Sequence, residues 1–144
     1  MKNQYFGDVN DFRKYGLLRA LQSAGDARLL VAWMLTPDDG GSDGRLRTYL
    51  EQSDGWKDCD PHLYAELAAM LRAGSTPRVS MIEATDLLPR ASYHSEIVPD
   101  TRLARDTWRE GLLAAASKAD LVFLDPDNGI EIPSKPVGRK NSSK

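Results

Sequence analysis

The sequence holds 144 residues, 41% hydrophobic and 28% charged, with 19 basic and 21 acidic side chains and a net charge of −2. That length suits one domain, and this composition supports a packed core rather than global disorder. The near balance of charge excludes a strong uniform field that would draw the whole protein to nucleic acid or an anionic membrane. One cysteine, Cys59, and two histidines, His62 and His94, exclude an internal disulfide, a multi-cysteine zinc site and a histidine-rich metal cage. The N-terminal segment MKNQYFGDVNDFRKYG lacks the apolar run of a signal peptide, and no segment approaches the ~20 apolar residues that span a bilayer. The expectation is a cytoplasmic protein with no membrane partner.

The first periodic segment is Asn10–Ala24, where Phe12, Tyr15, Leu18 and Leu21 recur at helical spacing. Asp8 or Asn10 caps its start, and Gly25 follows its end. Arg28–Leu35, RLLVAWML, is short and apolar on both faces, the signature of a central strand in a parallel sheet. Thr36–Gly44, TPDDGGSDG, is a loop with strong turn chemistry. Leu46, Tyr49 and Leu50 suit a short helix, and Asp60-Pro61 opens a clearer one with Leu63, Tyr64, Leu67, Ala68 and Leu71 on one face. Arg78–Ala84, RVSMIEA, reads as a second strand, and Ser92–Val98 as a strand or an extended connection. Thr101–Ser117 is the best amphipathic helix, and Asp120–Asp125, DLVFLD, another buried strand. Alternating helices and buried strands predict an α/β fold: a Rossmann-like, mostly parallel sheet flanked by helices, with about four strands and therefore incomplete. Residues 1–133 are expected to form a single domain, followed by a flexible basic tail, Ser134–Lys144, holding Lys135, Arg139, Lys140 and Lys144.

Ligand-binding loops in such sheets lie beyond the carboxyl ends of the strands. Two loops fall there. In TPDDGGSDG, the glycines permit close backbone approach, while Asp38, Asp39 and Asp43 disfavour phosphate, and no GxxxxGK[ST] pattern is present. The loop suits a cationic centre, a hydroxylated ligand or a divalent metal, and a polar surface turn explains it equally simply. In Asp125-Pro126-Asp127-Asn128-Gly129-Ile130-Glu131, an acid sits at a strand tip, where it accepts hydrogen bonds from an amine or hydroxyl. Consecutive Asp-Pro and Asn-Gly turns are the structural alternative for that segment. Gly7–Tyr15, GDVNDFRKY, adds polar groups that helix capping largely explains.

Taken together, these three segments resemble class I S-adenosylmethionine-dependent methyltransferases, nearest to the bacterial 23S ribosomal RNA adenine-N6 methyltransferase family. GDVNDFRKY is similar to that family's opening Gly-Asn-x-Ala-Asp-Val-x-Lys-His. LTPDDGGSDGRLRTYL, Leu35 to Leu50, is similar to its Asp-Thr-His-Ala-Gly-Ala-Gly-Arg-Tyr-x-Leu, and DPDNGIE occupies the place of its Asp-Pro-Pro-Tyr-Glu. Asp127 and Asn128 stand where the family has its second proline and its tyrosine. The resemblance implies S-adenosylmethionine as cofactor and methyl transfer to an amine, with a nucleic-acid base as the substrate class. It implies that Asp125 and Asn128 orient the acceptor and that Gly40, Gly41 and Gly44 line the cofactor. Asp38 or Asp39 would lie near its positive charge, and Lys14 and Tyr15 against its carboxylate. No metal ligand is implied.

Two other readings remain open. One is a metal-dependent nuclease or phosphohydrolase, with Asp38, Asp39, Asp125, Asp127 and Glu131 around Mg²⁺. The other is a non-catalytic interaction module. A short sheet with an open edge also leads us to expect self-association, or a partner protein, through that edge.

Overall fold

The computed structural model describes residues 1–42, 44, 46–51, 55–72, 74 and 76–127. Contacts gather them into two compact units. The first comprises Met1, Ala27–Pro37 and the described residues from Arg90 onward; the second comprises Lys2–Asp26 and Asp38–Pro89.

The first unit is a three-stranded parallel sheet with a helix packed on it. Strands β1 (Leu29–Ala32), β2 (Ala91–His94) and β3 (Leu121–Leu124) lie in the order β2-β1-β3. Leu29 is in register with Ala91 on one side and Leu121 on the other, and the ladders run without a bulge to Ala32. A further parallel bridge joins Leu35 to Ile97. Strand β1 is buried along its whole length, as its double-sided apolarity predicts. The outer strands alternate. Val122 and Leu124 of β3 are 39% and 50% exposed, so the strand expected to be buried has one open face at the sheet edge. Among the described residues this is a parallel α/β sheet in the order 2-1-3, as in an incomplete Rossmann-like fold.

Helix α5 (Arg102–Ala116) is capped by Thr101, whose Oγ1 accepts from the Ala104 amide at 3.4 Å. Its one buried residue is Trp108. The indole lies edge-on to His94 at 5.0 Å between ring centroids, and its Nε1 donates to the Glu96 carbonyl at 3.2 Å. A single aromatic anchor thus ties most of the helix to the end of β2.

The second unit is helical. It contains α1 (Val9–Ser23), α2 (Trp56–Cys59), α3 (Pro61–Arg72) and α4 (Ser80–Glu83). Asp8 caps α1, accepting from the Asn10 and Asp11 amides. The buried stripe of α1 is Asp11, Phe12, Tyr15, Leu18 and Gln22, while Leu21, expected on that stripe, is 44% exposed. Phe12, Tyr49, Trp56 and Tyr64 form an aromatic cluster with centroid separations of 5.5–6.4 Å.

One predicted strand is corrected. Arg78–Ala84 forms no strand; Ser80–Glu83 is the single helical turn α4. Val79 and Ile82, three residues apart, are both buried, and Met81, Ile82 and Ala84 donate backwards to Arg78, Val79 and Ser80. A run with two anchoring apolar residues fits one helical turn as well as a strand. The second strand is instead Ala91–His94, so the described sheet has three strands rather than about four.

Because α5 has one buried anchor, Trp108→Ala should destabilise the protein by about 3 kcal/mol. Urea denaturation followed by far-ultraviolet circular dichroism checks this; a loss below about 1 kcal/mol would mean that the helix is held elsewhere.

Candidate functional site

In the first unit the site is built from the carboxyl ends of β1 and β3. In the order 2-1-3 the β1/β3 boundary is the position that Rossmann-like sheets use as their switch point, and ligands of such sheets bind beyond the strand ends there. Beyond β3, the Asp125 amide donates to the Ala32 carbonyl at 2.9 Å, continuing the ladder one residue past the strand. Met34 follows β1 with φ 45°, a left-handed conformation that is strained for a non-glycine residue. Met1 is buried here. Its nitrogen donates to the carbonyls of Asp125 at 3.2 Å and Met34 at 3.4 Å, and its carbonyl accepts from the Thr36 amide at 2.9 Å. Thr36, also buried, donates through Oγ1 to the Asp127 carboxylate at 3.2 Å. The strand-end segments of the two candidate loops therefore meet directly, and they present the half-buried carboxyls of Asp125 and Asp127. Asn128 and Glu131 lie outside the described residues.

Lys14, Tyr15, Asp38, Asp39, Gly40, Gly41 and Gly44 all belong to the second unit. There Lys14 and Tyr15 converge on Asp11, which is 1% exposed in its side chain. One carboxylate oxygen of Asp11 pairs with Lys14 Nζ at 2.9 Å; the other accepts from the Gly7 amide at 2.9 Å and the Tyr15 hydroxyl at 3.2 Å. Burial pushes the Asp11 carboxyl above its ordinary value, and the Lys14 ammonium and the Gly7 amide only partly oppose this. The Tyr49 hydroxyl donates to the Gly7 carbonyl at 3.2 Å, and burial, with the nearby Asp11 and Asp8 charges, raises its pKa.

The glycine loop is held by the N-terminal segment of the same unit. Lys2 Nζ pairs with Asp39 Oδ2 at 2.8 Å, and Gln4 Nε2 donates to Asp39 Oδ1 at 2.9 Å. Gln4 Oε1 accepts from the Asp39 and Gly40 amides, the Gly41 amide donates to Asp39 Oδ1, and the Gln4 amide donates to Asp38. The Lys2 bond, with those from Gly41 and Gln4, holds the Asp39 carboxyl well below the usual carboxylate range. These donors and acceptors lock the loop's shape. Gly40 has φ 71° and open space where a Cβ would lie. Gly44 has φ 75°, and a Cβ there would fall 2.1 Å from Tyr5 Cδ1.

Reasoning from sequence did not single out Asp11, Thr36, Met34 or Gln4. Asp11 had a usable signal, since Lys14 and Tyr15 follow at i+3 and i+4. The other three depend on chain crossings that no local pattern encodes. Among the described residues, no three His, Cys, Asp or Glu side chains gather as a metal-binding set.

No family model, curated protein or solved structure matches the chain.

Two outcomes follow from this geometry. Relative to Asp11→Asn, the native protein should gain stability as pH falls through the raised Asp11 pKa towards the ordinary 3.8, because the fold disfavours the ionised carboxyl. Denaturation between pH 7 and 4 measures this, and a gap that widens in the opposite sense contradicts it. Gly40→Ala should cost about 1 kcal/mol through its backbone conformation alone. Gly44→Ala should cost more, because Tyr5 must also move; equal losses by thermal melting would refute the close contact.

Proposed function

We propose that this chain is an S-adenosylmethionine-dependent methyltransferase-like protein acting on an amine of a nucleic-acid base. The observation that supports this reading best is the placement of Asp125 and Asp127 at the carboxyl end of β3, beside the central strand at the switch point of a parallel sheet. Carboxyl groups at that position suit a cationic ligand and repel a polyphosphate. When bound, S-adenosylmethionine supplies an electrophilic methyl on a sulfonium. Asp125 accepts a hydrogen bond from the acceptor amine and aims its lone pair, with the Asn128 amide as second orienting group. Positioning and electrostatics, rather than covalent participation, provide the acceleration. The resemblance gives the cofactor to Lys14, Tyr15, Asp38, Asp39, Gly40, Gly41 and Gly44, all in the other unit; there Tyr15 is fully buried and Tyr5 fills the space at Gly44, so those two residues have no surface for a ligand.

Isothermal calorimetry tests this. S-adenosylmethionine should bind more tightly than ATP. Asp125→Ala should retain cofactor affinity within about threefold, under 1 kcal/mol, yet abolish transfer of labelled methyl to single-stranded nucleic acid. ATP bound in preference, or no S-adenosylmethionine binding at millimolar concentration, overturns the reading. Metal-dependent cleavage of the same nucleic acid would replace it with a nuclease.

A further inference from the structure

We propose that the cleft between α1 and α2, in the helical unit, is a binding site for a small planar aromatic molecule carrying one anionic group. This inference is independent of methyl transfer. The cleft has a volume of about 480 Å³, within the range of small-molecule sites. Phe12, Gly16 and Ala20 form one wall, a stripe at four-residue spacing along α1, and Trp56 and Cys59 of α2 form the other. Gly16 sits in the middle of α1, where glycine is unfavourable for the helix. Its missing side chain leaves room: a Cβ there would have only Leu63 Cδ2, at 3.9 Å, within 4 Å.

The polar groups select the ligand's charge. Arg19 is fully engaged, with Nε on Asp60 at 2.6 Å and Nη1 on the Leu87 carbonyl at 2.7 Å. Asp60 is engaged too, because it also accepts from the Leu63 amide at 3.0 Å. A cationic ligand would therefore find no unpaired carboxylate on these walls. Arg13 is different. Its guanidinium lies over the Trp56 ring, 5.1 Å from the centroid, and no described residue accepts a hydrogen bond from it. Stacking on a ring face leaves the in-plane N–H donors of arginine available. The cleft thus offers a planar ring apolar walls that include Phe12 and Trp56 and, at its rim, a guanidinium ready for a carboxylate or phosphate.

The test is calorimetric titration of the whole chain with AMP, indole-3-acetate and uncharged adenosine. The first two separate a phosphate-bearing from a carboxylate-bearing ligand. At least one anion should bind with Kd below about 1 mM, and adenosine about tenfold more weakly. Arg13→Ala, an exposed position, should weaken the anion about tenfold. Gly16→Leu should remove binding while circular dichroism shows a cooperative melt; if that variant fails to fold, Arg13→Ala alone decides. Absence of binding by both anions, equal binding of adenosine, or indifference to Arg13→Ala overturns the proposal. Unchanged S-adenosylmethionine affinity in Arg13→Ala keeps this result separate from the methyltransferase reading.

Discussion

Strand β1 sets the architecture of the sheet unit. Its four residues are buried, so its backbone donors and acceptors have no access to water and must be paired on both edges. β2 and β3 supply those partners in parallel and in matching register. Parallel neighbours require crossovers, and the one from β2 through α5 passes over β1 to reach β3, which leaves β1 in the centre. The ends of β1 and β3 lie side by side as a consequence of that topology; Thr36 donates to Asp127 there, and Met1 links the Thr36 amide to the Asp125 carbonyl.

In the helical unit the corresponding constraint is a buried carboxylate. Asp11 is taken out of water at the start of α1, a cost that is tolerable only with several donors. Gly7, Lys14 and Tyr15 provide them. The left-handed turn at Gly7, with φ 80°, brings its amide into line, and a side chain there would collide with Leu71. Polar residues that look like a binding motif thus also organise the helix they belong to.

Charge in the glycine loop is handled in the same economical way. Asp39 is exposed, yet Lys2 and Gln4 fix it, and the loop amides are turned inward onto Gln4 and Asp39. Any ligand at this loop therefore meets a preformed surface, whose recognition rests on the exposed faces of Gly40 and Asp38.

The sequence alone determined the parts whose physics is local. Helices α1, α3 and α5 follow from apolar spacing together with Asp8, Pro61 and Thr101 at their starts, and β1 from its two-sided apolarity. The carboxylate at the tip of β3 was legible because a polar residue ending an apolar strand must lie at the sheet's edge in space. Tertiary structure decided what depends on distant partners. Ser80–Glu83 became a helical turn and the polar Ala91–His94 a strand, because an edge strand with one open face needs no continuous apolar run. Asp11 became the centre of a network because Gly7 turns back onto it. Gln4 clamps the glycine loop and Met1 joins the ends of β1 and β3 through contacts across more than thirty residues of chain, and side-chain periodicity, which reports only on a residue's own helix or strand, carries no record of such crossings.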